Sequence, residues 1–148
     1  MRYHIYTDGS ASKEEIGSAF LILTENCFIT QGCKKFNGNK PSYAETIAVG
    51  CAVEALLKLN RLKPTDSIYI HVDCWSAIDF YKTCLKSGVC NSSDDKIKIC
   101  FKIVQEASKR YEVVFKKATA HTAYLNANTL VDKLAKQVIR SQGNLMCS

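Results

Sequence analysis

The chain has 148 residues, of which 47% are hydrophobic, two are proline and seven are glycine. This length and composition favour one compact domain over residues 1–148 and exclude a disordered or fibrous chain. Lysine and arginine number 20 against 14 aspartate and glutamate, so the formal net charge is +6. The surplus favours a polyanionic partner, although basicity alone does not identify one.

Neither a membrane span nor a disulfide framework is indicated. No apolar run reaches the roughly 18 residues of a membrane span, and the first residues lack the apolar stretch of a signal peptide. The eight cysteines form no C-x-x-C pair and no cluster at zinc-finger spacing. We therefore expect free thiols in a reducing, cytoplasmic environment, no membrane association and no obligatory protein partner.

The predicted elements follow the order βββαβααβα. The three strands that come first span residues 2–7, 17–24 and 27–36. The later elements are, in order, a helix with a one-sided apolar stripe at 44–59, a strand at 68–72, helices at 75–86 and 95–110, a strand at 112–118 and a helix at 129–141. The order predicts an α/β domain, α+β in some schemes, with a five-stranded mixed sheet whose faces are covered by helices.

Four acidic residues lie at the ends of these predicted elements. Asp8 and Asp73 follow the first and fourth strands, Glu45 opens the first long helix, and Asp132 lies in the first turn of the last. Asp8 and Asp73 would be neighbours at one sheet edge if their strands are adjacent and parallel. Converging carboxylates repel one another unless cations neutralise them, and Mg²⁺ prefers oxygen ligands. The four acids are therefore candidate metal ligands.

Each acid also has a purely structural explanation. Asp8-Gly9 is a common turn dipeptide, and Asp73 could cap the helix that begins near Trp75. The segments 42–45 and 129–132 both fit the spacing of a capping box. The metal-site hypothesis therefore depends on the four acids taken together.

Four ordered motifs resemble the type 1 ribonuclease H family, including the version attached to retroviral reverse transcriptases. Residues 6–10 (YTDGS) resemble its opening TDGS motif, and residues 43–48 (YAETIA) resemble the first-helix motif that supplies a glutamate. Residues 71–74 (HVDC) are similar to its TDS motif. Ala120-His121, Asn128 and residues 131–135 (VDKLA) resemble its closing segment, so the similarity extends from about residue 3 to residue 139.

The resemblance implies an RNase H-like fold and an endonuclease that hydrolyses the RNA strand of RNA–DNA hybrids. Two Mg²⁺ ions, with Mn²⁺ as a substitute, would give 5′-phosphate and 3′-hydroxyl products. In the family's pattern Asp8 would bridge both ions, Glu45 and Asp73 would bind beside it, and Asp132 would complete the second ion's ligands. His121 would be a helper in proton transfer or product release.

Hybrid recognition would depend on shape, 2′-hydroxyls and phosphates rather than on base sequence. The candidate substrate-binding residues are Ser10, Lys34, Lys35, Lys40, Ser42, Tyr43, Cys74, Trp75 and Asn128. Further lysines that could contact phosphates are Lys82, Lys86, Lys96 and Lys98. An ordinary solvated surface is the alternative explanation for each lysine.

The sequence departs from the family pattern at groups that contact the hybrid. Cys74-Trp75 follows Asp73 where the family has serine, and residues 41–45 (PSYAE) replace the usual Asn-Asn-Arg-x-Glu. Residues 11–16 replace a glycine-rich segment, and residues 82–102 contain no tryptophan where some bacterial members carry a basic, tryptophan-rich handle. Two alternatives stay open: a DNA nuclease of the same fold, such as a resolvase or exonuclease, and a binding module that cleaves nothing.

Overall fold

The computed structural model describes residues 1–24, 27–118 and 145–147. Its elements are β1 (Arg2–Ala11), β2 (Glu15–Thr24), β3 (Cys27–Asn37), α1 (Pro41–Lys58), β4 (Ser67–Val72), α2 (Trp75–Ser87), α3 (Asp95–Arg110), β5 (Glu112–Lys117) and β6 (Leu145–Cys147). The eight elements predicted before residue 119 are all present, with ends shifted by a few residues. The helix predicted at 129–141, with Asp132, lies outside the described residues.

The strands form one mixed sheet in the order β5-β4-β1-β2-β3-β6. Strand β1 pairs in parallel with β4 and antiparallel with β2, and β4 pairs in parallel with β5. The predicted five-stranded mixed sheet of an RNase H-like α/β fold is therefore confirmed. The sixth strand, β6, pairs antiparallel with β3 and was not predicted, because a three-residue apolar run carries no usable periodicity.

Helix α1 lies between the sheet and α3, so it is buried on more than the single stripe that its sequence predicts. Ile47, Val53 and Leu56 join the main core with Ile5 and Ile70 from the sheet. Gly50 lies against α3 so closely that a Cβ added there would clash with the Cys100 Sγ. The close packing of α1 against the sheet thus fixes the start of α1 relative to β1 and β4.

Strand β1 is longer than predicted, and Asp8 lies within it rather than after it. Asp8 pairs with Ala19 of β2, and the pairing continues to Ala11. The chain turns only after Ala11, where the Ser12 N–H donates to the Glu15 carbonyl at 2.8 Å. The turn explanation for Asp8-Gly9 is therefore wrong, because this glycine serves a close packing contact inside a strand.

The capping explanations are also not supported within the described residues. Helix α1 begins at Pro41, so Ser42 is already inside it, and its cap residue Lys40 makes no side-chain capping bond. Helix α2 has Cys74 as its cap residue, again without a side-chain capping bond. Neither Glu45 nor Asp73 is therefore explained by a helix cap.

Two further sequence expectations concern membrane association and the thiols. Among the described helices, none combines the length and apolar character needed to cross a membrane. No disulfide joins the cysteines between Cys27 and Cys100, which agrees with the expectation of thiols for this part of the chain.

Candidate active site

Parallel pairing brings two of the candidate carboxylates to one edge of the sheet. Thr7 of β1 is in register with Val72 of β4. Asp8 and Asp73 each follow this pair by one residue, so they lie at the same level, Asp8 within β1 and Asp73 directly after β4. The condition on which their proximity depended, adjacent parallel strands, is therefore met.

Glu45 reaches this edge from the first turns of α1. A Cβ added to Gly9 would come within 2.5 Å of the Glu45 nitrogen and 2.6 Å of the Ala44 carbonyl carbon. The buried Ser18 hydroxyl donates to the Ala44 carbonyl at 2.7 Å, which fixes the start of the helix against the sheet. A residue without a side chain at position 9 therefore lets α1 bring Glu45 beside Asp8.

The pKa of Glu45 depends on its burial and on the neighbouring side chains at this edge. Burial is the main cause that raises the pKa of Glu45 above its ordinary value, and the negative charge of Asp73 raises it further. Hydrogen bonds with Cys74 and Asp8 and the positive charge of Lys117 act in the opposite direction. Asp8 is also oriented by the Gly9 N–H, which donates to its Oδ1 at 2.9 Å. Asp8 and Asp73 therefore both lie close enough to Glu45 to change its pKa.

Asp73 is paired with a lysine that sequence reasoning missed. The Lys117 Nζ lies 2.7 Å from the Asp73 Oδ1 and also donates to the Ala118 carbonyl at 3.2 Å. Lys117 is the last residue of β5 and is in register with Val72. The sequence does show a basic residue at the end of the predicted fifth strand. This position indicates a contact with Asp73 only once β5 is known to pair in parallel with β4.

The donor chemistry of this edge fits a hard divalent cation, because carboxylate oxygens are the ligands that Mg²⁺ prefers. Within residues 1–24 and 27–118, however, no three His, Cys, Asp or Glu side chains are arranged to hold one metal ion. The Asp73 carboxylate is in contact with the Lys117 ammonium. The other predicted site residues, His121, Asn128 and Asp132, lie outside the described residues.

The candidate substrate-binding residues near this edge have different surroundings. Trp75 is 60% exposed two residues after Asp73, so its ring is available to a ligand. The Cys74 Sγ lies 2.9 Å from the Ser76 Oγ. The Tyr43 hydroxyl donates to both carboxylate oxygens of Asp94 at 3.0 Å, which connects α1 to the start of α3. Two more candidates lie on the elements that carry Asp8 and Glu45: Ser10 in β1 and the exposed Ser42 in α1.

The candidate lysines have different surroundings. The Lys34 and Lys96 ammonium groups lie 5.6 and 5.5 Å from the centre of the Phe36 ring, so β3 and α3 together present two cations around one aromatic side chain. The neighbouring Lys35 instead pairs with Glu15 at 3.4 Å. The remaining candidates are exposed: Lys40 before α1, Lys82 and Lys86 on α2, and Lys98 on α3.

Comparisons with solved structures find the same fold in ribonucleases H. RNase H1 from the halophilic archaeon Halobacterium salinarum NRC-1 superposes with a TM-score of 0.68 at 15% identity, covering 95% of this chain and 98% of that one. LC11-RNase H1, isolated from compost by a metagenomic approach, gives 0.70 at 19% identity and coverages of 94% and 96%. The prototype foamy virus protease-reverse transcriptase gives 0.69 at 21% identity, covering 92% of this chain and 20% of the viral one.

Sequence comparison identifies the family directly. A search of curated proteins finds no significant match. The family model for RNase H, however, matches residues 1–140, which is nearly the whole chain. The match includes the three carboxylates at the sheet edge as well as His121, Asn128 and Asp132. The chain therefore belongs to the RNase H family, as its motifs and its fold indicate.

Proposed function

We propose that this chain is a ribonuclease H that hydrolyses the RNA strand of RNA–DNA hybrids. The observation that carries the proposal is the convergence of Asp8, Glu45 and Asp73 from three separate elements on one sheet edge. Such convergence costs electrostatic energy and has no use in a helix cap or a turn. Family membership supports the activity, and LC11-RNase H1, which shares the fold, has been solved in complex with an RNA/DNA hybrid.

Asp8, Glu45, Asp73 and Asp132 would hold two Mg²⁺ ions, with Mn²⁺ as a substitute. The chemistry supplied by bound ions of this kind is activation of the attacking water and stabilisation of the leaving 3′ oxygen. The expected products are a 5′-phosphate and a 3′-hydroxyl. The chain itself orients Asp8 through the Gly9 N–H, positions Glu45 through the close contact between β1 and α1, and shields Glu45 from solvent.

Two residues of the closing motif complete the proposed site. An imidazole titrates near neutral pH, so His121 can accept or donate a proton during turnover or product release. Asn128 precedes Asp132 by four residues and would contact the substrate near the metal ligands. Neither His121 nor Asn128 is proposed as a metal ligand.

Hybrid binding would use backbone and sugar contacts. Trp75, exposed beside Asp73, offers a flat apolar surface to a sugar ring. Lys34 and Lys96 around Phe36, together with Lys40, would contact phosphates near the start of α1. Such contacts follow the shape of the duplex, so we expect little sequence preference.

The direct test is a cleavage assay of the full chain on three labelled duplexes of one sequence: an RNA–DNA hybrid, double-stranded RNA and double-stranded DNA. Each duplex is incubated with Mg²⁺ and, in parallel, with EDTA. Mg²⁺-dependent cleavage of the RNA strand of the hybrid alone supports the proposal. Cleavage of double-stranded DNA would identify a DNA nuclease instead, and hybrid binding without cleavage would identify a binding module.

A further inference from the structure

Lys117 places a positive charge among the proposed metal ligands, and the proposed chemistry does not use it. Its Nζ lies 2.7 Å from the Asp73 Oδ1, which is the distance of a strong charge-assisted hydrogen bond. The parallel pairing of β4 with β5 places it there, because Lys117 is in register with the last residue of β4. The pairing of β4 with β5 therefore determines the position of Lys117 beside Asp73.

The Lys117 ammonium is fixed by more than this one contact. It also donates to the Ala118 carbonyl at 3.2 Å, and only 28% of its side chain is exposed. The Asp73 side chain is 59% exposed, so this pair differs from the surface pairs Lys58–Glu54 and Lys109–Glu106 in two respects. Its distance is shorter than their 3.7 and 3.5 Å, and its lysine is less exposed than their lysines, at 74% and 63%. A shorter contact to a partly shielded ammonium is stronger than an ordinary surface ion pair.

We infer that Lys117 competes with the divalent cation for Asp73 and thereby lowers the affinity of the site for metal. This inference rests on the proposed function, because it takes Asp73 as a metal ligand. The ammonium group and a metal ion are both attracted to the negative charge of the same carboxylate, and their like charges repel each other at that distance. A metal ion that binds Asp73 must therefore displace the ammonium or bind beside it against this repulsion, and either course reduces the net binding energy.

The preceding residue provides a matched control. Lys116 has the same charge and lies on the same strand, but successive side chains of a strand point to opposite faces. Its ammonium lies 5.7 Å from the centre of the Tyr69 ring, away from Asp73. Removing Lys116 therefore tests the effect of net charge without breaking the contact to a proposed ligand.

The experiment measures Mg²⁺ binding to the full chain by isothermal titration calorimetry, without nucleic acid. The proteins are the parent, Lys117→Met, Lys117→Gln, Lys117→Arg and Lys116→Met, with folding checked by circular dichroism. Both neutral variants at position 117 should bind Mg²⁺ about tenfold more tightly than the parent, the effect expected for loss of one charge-assisted contact. Lys117→Arg should bind like the parent, and Lys116→Met should differ by no more than about twofold.

If Lys117 only supported the fold, its loss would leave the Mg²⁺ affinity unchanged or weaken it. Tighter Mg²⁺ binding by the neutral variants therefore distinguishes competition from a structural role. Two neutral variants are included so that the result stands if one of them fails to fold. Unchanged or weaker Mg²⁺ binding by the folded neutral variants, beside saturable binding by the parent, overturns the competition and leaves the proposed function intact. Failure of the parent and all variants to bind Mg²⁺ overturns the metal site of the proposed function, and the competition with it.

Discussion

Gly9 and Glu45 are in backbone contact: a Cβ added to Gly9 would lie 2.5 Å from the Glu45 nitrogen. The contact joins β1 to the first turns of α1, and it is what sets the carboxylates of Asp8 and Glu45 side by side. Because backbone meets backbone, no side-chain rotation can make room for a larger residue. The spacing of two proposed metal ligands therefore depends on a glycine that is not itself a ligand.

Replacing Gly9 by alanine should push α1 away from β1 and separate the two carboxylates. We expect the free energy of unfolding to fall by about 1–3 kcal/mol, as for other overpacked sites, and kcat to fall by at least about tenfold. Urea unfolding and hybrid cleavage measure the two effects. Gly88→Ala is the control, because Gly88 has φ 78° but no neighbour within 4 Å, so only stability should suffer. A Gly9→Ala protein with the parent kcat would contradict this account of the site.

Stability at acid pH should depend on His71. Its ring stacks on Tyr6 with centroids 4.4 Å apart, and its Nε2 lies 3.0 Å from the His4 Nδ1. Burial is the main cause that lowers the pKa of His71 from 6.5 to about 4, and the charges of His4 and Lys116 lower it further. The unfolded chain then binds a proton more readily, so the contribution of neutral His71 is full above pH 6.5 and is lost as the pH falls towards 4.

Thermal melts of the parent and of His71→Gln at pH 7.5 and pH 4.5 measure this effect. The parent should lose more stability than the variant between the two pH values. Taking the difference between the proteins removes contributions shared by both, including that of Glu45, whose raised pKa acts in the opposite direction. Equal losses in the two proteins would show that folded His71 is protonated at pH 4.5 as readily as His71 in the unfolded chain, which contradicts the prediction.

Nucleic-acid binding should weaken as salt concentration rises, because lysines release counterions condensed on phosphates. Replacing both Lys34 and Lys35 by glutamate should weaken binding to all hybrid sequences alike and reduce the salt dependence. The matched control replaces Lys109 and Arg110 by glutamate at the far end of α3. Fluorescence anisotropy at several salt concentrations measures both quantities, and an affinity independent of salt would mean that the surplus charge plays no part.

His121 should assist turnover without being indispensable. If it transfers a proton or helps product leave, His121→Ala should lower kcat by roughly 10–10⁴-fold with a smaller effect on KM. Steady-state cleavage across pH 6–9 tests this, since the loss should vary with pH as the imidazole titrates. A variant that cleaves at the parent rate across the whole range would remove His121 from the proposed site.

Much of the site could be predicted because its residues are attached to regular elements. The apolar stripe placed Glu45 near the start of α1, and the apolar run of β4 placed Asp73 just after its end. What periodicity does not encode is which strands are neighbours. The meeting of Asp8 with Asp73 was therefore conditional on parallel pairing of β1 with β4, which the structure shows.

The features that were missed depend on contacts distant in sequence. Lys117 is one basic residue among 20 until β5 is seen to pair with β4 beside Asp73. Gly9 suggested a turn because glycine after aspartate usually marks one, whereas its role here is to admit the backbone of α1. Both cases concern packing between elements, which a local pattern of polar and apolar residues does not specify.

The most direct test of the central claim is the Asp8→Asn variant, assayed on an RNA–DNA hybrid in saturating Mg²⁺. Asp79→Asn, on the exposed surface of α2, removes the same charge away from the site and is the control. The account predicts that Asp8→Asn abolishes cleavage while keeping the fold, with a melting temperature equal to or above that of the parent because removing one negative charge relieves repulsion among the clustered acidic residues. Asp79→Asn should cleave like the parent. A folded Asp8→Asn protein that cleaves the hybrid at the parent rate would contradict the assignment of this sheet edge as the active site.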